Sequence, residues 1–193
     1  MTKLFCLIVG LAVLSVWAGV GVAQNPPAPP ASRPAPTTQS PQIDCTWLTV
    51  DSANKTATLQ LTAGLTSLNS GLNFNGFKDG GLTFTVPLNW SVVIEFSNRD
   101  GALPHSVQVI DTVKSIPPGP VDPAFPRAMS ARLMEGIVPQ GKDSFRFTAG
   151  KAGSYWIFCA VPGHGLAGMW IRFRVSATEK QPNLTATPSA AGR

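Results

Sequence analysis

Histidine is the scarcest chemistry-bearing residue in this chain, with only His105 and His164 among 193 residues. Cysteine is nearly as rare: Cys6 lies in an apolar N-terminal stretch, and only Cys45 and Cys159 follow it. A centre that binds several metal ions through many imidazoles is therefore excluded. The chain also has no pattern of paired bases, no nucleophile triad and no phosphate-binding loop, so the sequence does not predict an enzyme.

Charge is also sparse. Only 13% of the residues are charged, and the formal net charge of +5 is spread along the chain without any run of lysine or arginine. Nucleic-acid binding requires a concentrated basic surface, which this distribution does not provide. The sequence predicts no nucleic-acid partner.

Long helical patterns are missing, whereas glycine and proline are plentiful at 18 residues each. This composition favours many turns, and the length suits one ordinary domain with tails. Short apolar or alternating segments between turn residues predict strands. They are residues 46–50, 56–61, 82–86, 91–98, 105–111, 144–149, 154–159 and 169–175. About eight such strands predict an all-β, Greek-key β-sandwich or barrel.

The N-terminus carries one cation, Lys3, before twenty uncharged residues from Leu4 to Ala23. Residues 1–23 fit a secretory signal with a cleavage site after Ala23, and the run is also long enough to span a bilayer. Both outcomes, cleavage or retention as a membrane tether through residues 4–23, stay open. Either one predicts export to the periplasm or to the outer face of the cytoplasmic membrane.

The remaining chain divides by composition into three parts. Residues 24–41 contain seven prolines and predict an extended linker. Residues 42–177 hold the predicted strands and form the globular domain. Residues 178–193 are polar and small, so we expect a disordered tail there.

One stretch interrupts the rhythm of the predicted strands. Residues 113–143 include six prolines, and loops of this length in compact domains are usually functional or flexible. This proline-rich insertion follows the strand that is predicted to begin at His105.

The segment FCAVPGHGLAGMW, residues 158–170, places Cys159, His164 and Met169 at C-x4-H-x4-M spacing. A thiolate and two imidazoles form a trigonal set, and a thioether can be a weak axial ligand, as in electron-transfer copper sites. A structural zinc site does not favour a thioether, and a catalytic one needs an open position that Met169 would crowd.

The predicted strands bring these donors together. Cys159 ends one strand and Met169 begins the next, while Gly163, Gly165 and Gly168 permit the turn between them. We expect the second imidazole, His105, to come from a strand of the neighbouring sheet.

The ligand loop, followed by Trp170, resembles that of the cupredoxins, the type 1 blue copper proteins, and is most similar to sulfocyanin and rusticyanin. The segments FNGF (74–77) and LPH (103–105) also look like sulfocyanin. The resemblance covers roughly residues 72–176. It implies a Greek-key cupredoxin β-sandwich with one type 1 copper per chain, bound by His105, Cys159, His164 and, axially, Met169. It also implies one-electron transfer between redox proteins, of the cytochrome or terminal oxidase type.

One position differs from many cupredoxins, which have asparagine after the first histidine. This chain has Ser106, as rusticyanin does. We expect its hydroxyl to donate toward the thiolate and predict a high-potential centre, since hydrogen bonds to the cysteine sulfur tune the potential.

Two alternatives remain at this stage. Cys45 and Cys159 could form a disulfide, which an exported protein permits. The same four ligands could also serve a periplasmic copper-binding or copper-delivery protein that does not cycle electrons. Multicopper oxidases and the binuclear oxidase centre need further histidines or a second loop cysteine, which the chain lacks.

Overall fold

The computed structural model describes residues 42–187, and these form nine strands and two short 3-10 helices. The helices are Cys45–Trp47 and Leu68–Gly71. The strands are β1 (Leu48–Asp51), β2 (Thr56–Ala63), β3 (Leu82–Pro87), β4 (Ser91–Asn98), β5 (Gln108–Asp111), β6 (Lys142–Thr148), β7 (Gly153–Phe158), β8 (Trp170–Ser176) and β9 (Asn183–Ala186). The predicted signal or anchor (1–23) and linker (24–41) lie outside the described residues.

The strands form two mixed sheets. One has the order β1-β2-β4-β6, and the other β5-β7-β8-β3-β9. Strands β2 and β4 pair in parallel, as do β3 and β8, and the other pairs are antiparallel. The predicted all-β sandwich is confirmed.

Alternation of apolar and polar residues decides which face of each strand is buried. In β2 every second residue is fully buried, beginning with Ala57 and Leu59. These side chains share one core with residues of the other sheet, such as Phe84 and Phe173. Burial of one such side chain contributes about 1.5–3 kcal/mol, so this interface holds the two sheets together.

The predicted disordered tail is wrong for residues 183–186. These form β9, which pairs antiparallel with β3, with Leu184 opposite Phe84. Backbone groups at the edge of β3 pair with this segment, and Leu184 packs against the core, so these four residues are ordered by contact with β3. The domain therefore extends beyond residue 177.

The long segment between β5 and β6, residues 112–141, is here called the β5–β6 loop. It contains turns and isolated bridges. Part of it runs beside residues 105–109, where Ser130 N donates to Val107 O at 2.8 Å and Val109 N donates to Ala128 O at 2.9 Å. The loop thus covers the free edge of β5, and the predicted long insertion is confirmed.

Within residues 42–187, no helix is long and apolar enough to cross a membrane.

Candidate metal centre

The ligand loop, residues 159–169, connects β7 to β8. Cys159 directly follows β7 and Met169 directly precedes β8. The backbone N–H of Cys159 donates to Met169 O at 3.0 Å, and that of Met169 donates to His164 O at 3.1 Å. The three predicted loop ligands are therefore joined to one another through the backbone.

A glycine is required at the end of this loop. Gly168 has a φ of +94°, and a Cβ there would lie 2.5 Å from Asp79 Oδ1. The carbonyl of Gly168 also accepts a hydrogen bond from Asp79 N at 2.9 Å. The sequence 78–80 therefore supports the loop from outside, and only a residue without a side chain fits between them.

The prediction that His105 begins a strand of the neighbouring sheet is wrong. His105 lies three residues before β5, which pairs with β7 in the same sheet as β8. The β5–β6 loop holds it in place: Ile137 N donates to His105 O at 2.7 Å, and His105 N donates to Ile137 O at 3.1 Å.

The three strongest donors of the sequence prediction converge. The Nδ1 atom of His164 lies 3.5 Å from Cys159 Sγ, and that of His105 lies 3.9 Å from it. The two Nδ1 atoms are 3.3 Å apart. Within residues 42–187, these three side chains form a cluster whose donor atoms could hold one metal ion.

Burial sets the protonation of these donors. It raises the pKa of the Cys159 thiol to about 11, although N–H groups of Ser106 and Val161 act in the opposite direction. Burial also lowers the pKa of His105 and His164, so both imidazoles are neutral at pH 7 and can ligate a metal. A metal that binds here displaces the thiol proton.

Asp100 is a site residue that the sequence analysis missed. Its Oδ2 lies 3.1 Å from His105 Nε2, and its Oδ1 accepts hydrogen bonds from Ala102 N and Leu103 N. Burial would raise the pKa of Asp100, but these hydrogen bonds outweigh it and the pKa is lowered, so the group is a carboxylate. No spacing rule identifies an aspartate five residues before a histidine as its partner.

Ser106 acts differently from the prediction. Its hydroxyl donates to Leu133 O at 2.8 Å and accepts from Ala160 N at 3.1 Å. The backbone N–H of Ser106 donates to Cys159 Sγ at 3.3 Å, whereas the hydroxyl proton is directed to Leu133 O. The side chain therefore joins the ligand loop to the β5–β6 loop, and the main chain contacts the sulfur.

The two cysteines of the described residues are in different environments. Cys159 is fully buried, Cys45 is exposed, and both are free thiols. The alternative of a disulfide between them is not supported. Met169 is fully buried beside the loop ligands.

The surface around the loop is partly covered. Gly163 N donates to Pro118 O of the β5–β6 loop at 2.9 Å, whereas Leu103 and Leu166 remain 38% and 59% exposed. His164 itself is half-buried. Two apolar side chains and part of one predicted ligand are therefore accessible to solvent here.

The residues fit a copper ion. A thiol and two imidazole nitrogens lie within 3.9 Å of one another, His105 and Cys159 are buried, and a thioether follows in the same loop. This donor set is that of trigonal electron-transfer copper sites with a weak axial methionine. Four-coordinate zinc takes a different set.

Comparison with known proteins assigns the family. Residues 44–186 match the model of the sulfocyanin (SoxE) domain, a range that includes β9. Sulfocyanin of Sulfolobus acidocaldarius is 26% identical over an alignment of 129 residues that covers 62% of this chain. The chain spans about 63% of the length of that curated relative.

Solved structures that resemble this chain include an auracyanin and a rusticyanin. Auracyanin A of Chloroflexus aurantiacus, a "blue" copper protein, matches 63% of this chain and 99% of its own with 23% identity and a TM-score of 0.47. Rusticyanin of Thiobacillus ferrooxidans matches 67% of this chain and 86% of its own with 26% identity and a TM-score of 0.44.

Proposed function

The chain belongs to the sulfocyanin family, and we propose on that basis that it carries one electron at a type 1 copper between redox proteins. Sulfocyanins are cupredoxins, a family of electron-transfer proteins whose cofactor is type 1 copper. The resemblance that the sequence predicts is confirmed, and so is copper as the cofactor of the family. The single observation that carries the proposal is the convergence of Cys159 Sγ with both histidine Nδ1 atoms.

In the proposed site, His105, Cys159, His164 and Met169 would hold the copper. The bound metal would supply the one-electron couple between Cu(II) and Cu(I), so that the protein could accept an electron from a reduced partner and pass it to an oxidised one.

The protein's own residues hold the donor atoms nearly fixed, which favours electron exchange. The backbone hydrogen bonds within the ligand loop and the pairing of His105 with Ile137 hold the donors in place. Full burial of Cys159 and Met169 excludes water from the thiolate side. A rigid, dry site needs little rearrangement when its charge changes.

We further propose that partners dock around His164. Its half-buried ring and the exposed Leu103 and Leu166 support a short electron path at this surface. The partners proposed are redox proteins of the cytochrome or terminal oxidase type. The exported location is proposed from residues 1–23 alone.

A copper titration tests the function. Addition of Cu(II) to the purified protein should give an intense visible thiolate-to-copper band that a reductant bleaches and an oxidant restores. Cys159→Ala should abolish the band, whereas Cys45→Ala, which removes an exposed thiol, should keep it. A colourless complex, or one that cannot be reoxidised, would contradict electron transfer and support copper delivery instead.

A further inference from the structure

We propose that Asp100 is a positioning residue that selects the metal-binding form of His105 and sets the charge of the centre. The inference rests on the proposed function, because it concerns the same copper. It assigns a role to a carboxylate that is not a ligand.

The contact between the two side chains defines the tautomer of His105. A neutral imidazole carries its proton on one nitrogen only, and the other nitrogen keeps a free lone pair. Asp100 Oδ2 lies 3.1 Å from Nε2, so the ring proton is on Nε2 and donates a hydrogen bond to the carboxylate. Nδ1 is then free on the side that faces Cys159 and His164.

The carboxylate is itself held in one orientation. Oδ1 accepts from Ala102 N at 2.8 Å and from Leu103 N at 3.0 Å, and Asp100 N donates to Asn98 Oδ1 at 3.0 Å. The side chains of His105 and Asp100 are only 0% and 10% exposed. Oδ1 therefore fixes the orientation of the carboxylate, and Oδ2 contacts His105.

Two glycines make the space that Asp100 occupies. Gly64 has a φ of +63°, and a Cβ there would lie 2.8 Å from Asp100 Cβ. Gly71 has a φ of +87°, and a Cβ there would overlap Asp100 Oδ2. The niche is therefore shaped around the oxygen that contacts His105, which is independent support for a specific role.

The chemistry of the pair gives a defined consequence. A carboxylate hydrogen-bonded to a metal-bound histidine orients the ring and makes it a stronger donor. A nearby negative charge also favours Cu(II) over Cu(I). Asp100 therefore strengthens Cu(II) binding and lowers the reduction potential of the centre.

Asp100→Asn is the sharpest variant because it is nearly isosteric. Its one amide oxygen is needed by the N–H groups of Ala102 and Leu103, so the amide NH2 faces Nε2. That nitrogen must then accept, and the ring proton moves to Nδ1, where it competes with the metal. Aspartate serves both sides because it has two acceptor oxygens.

The experiment begins with the metal-free protein. Proton–nitrogen correlation NMR of the wild type should show the Nε2–H form of His105, and Asp100→Asn should show the Nδ1–H form. Copper titration should then give a Cu(II) affinity about 10–100-fold lower in the variant, a smaller loss for Cu(I), and a raised midpoint potential.

Two further variants keep the result interpretable. Gly71→Ala, which displaces Oδ2 without removing the carboxylate, should also weaken the Nε2–H form and the Cu(II) affinity. Asp122→Asn removes an exposed carboxylate of the β5–β6 loop and should change neither quantity. A merely structural role for Asp100 would lower stability without moving the ring proton.

An unchanged tautomer together with an unchanged Cu(II) affinity in Asp100→Asn would overturn the proposal. The NMR measurement uses no copper and no redox partner. A protein that shows the tautomer change but no reversible colour would therefore refute the electron-transfer function and leave the role of Asp100 standing.

Discussion

Replacement of Ser106 by alanine should destabilise the protein more than an ordinary buried hydroxyl does, because this side chain connects two loops at the site. Its Oγ is an acceptor for Ala160 N, next to the cysteine ligand, and a donor to Leu133 O of the β5–β6 loop. Ser106 is fully buried. Alanine removes both hydrogen bonds at once.

The magnitude follows from the surroundings of each partner. Ala160 is fully buried, so its N–H is left without a partner at a cost of about 1–3 kcal/mol. Leu133 is half-buried, and loss of the hydrogen bond to its carbonyl costs about 0.5–1.5 kcal/mol. The expected loss in the free energy of unfolding is therefore about 1.5–4.5 kcal/mol.

Urea unfolding of the copper-free protein measures this loss. Ser97→Ala is the matched control: its half-buried hydroxyl contacts Thr62 Oγ1 at 3.1 Å, and we expect a change below about 0.5 kcal/mol. Ser106→Ala should still bind copper with a visible band, because the Ser106 N–H that donates to the sulfur is main chain. A loss of stability no larger than that of the control would contradict the proposed role of Ser106 in joining the two loops.

Three other predictions concern the potential, the tail and the metal. Ser106→Asn should lower the midpoint potential. The larger side chain does not fit between Leu133 and Ala160, so it displaces the N–H that bonds to the thiolate. An unchanged potential in voltammetry would contradict this prediction. Leu184→Ala should lower the free energy of unfolding by about 1–2 kcal/mol, less than for a fully buried leucine, as Leu184 is half-buried. Thr185→Val, on the exposed side of β9, should change it by less than about 0.5 kcal/mol, and equal effects would contradict the packing of β9. Removal of copper should lower the melting temperature, since at free copper 100 times Kd the bound metal adds about 2.7 kcal/mol to the free energy of unfolding. The far-UV circular dichroism should stay unchanged, because backbone hydrogen bonds already join the donors. Loss of strand signal in the metal-free protein would contradict that prediction.

Much of the fold and half of the site follow from local patterns. Alternation in TATLQL correctly predicts the buried face of β2, and the spacing of Cys159, His164 and Met169 places three predicted ligands in one β7–β8 connection. These features are local, so the sequence carries them directly. The segment 183–186, Asn-Leu-Thr-Ala, is too short for its alternation to predict a strand, and this strand forms through pairing with β3.

Relations between distant residues could not be predicted in the same way. The sequence offers His105 as the second imidazole, because it is the only one left, but not the sheet that it adjoins. Nor does it show that Ile137 fixes its backbone or that Ser106 reaches Leu133 with its side chain. These contacts depend on how the β5–β6 loop folds back along residues 105–109.

The sequence by itself determined the kinds of donor: one thiol in a short loop, two imidazoles in the whole chain and a thioether, a set that suits one copper. Only the tertiary structure decided how those donors are oriented and protonated. Burial keeps the imidazoles neutral and the thiol protonated until a metal arrives, and Asp100, seated against Gly64 and Gly71, meets the nitrogen of His105 that faces away from the other donors. The physical reason is that residue chemistry is local, whereas burial and hydrogen-bond direction arise only when distant segments meet.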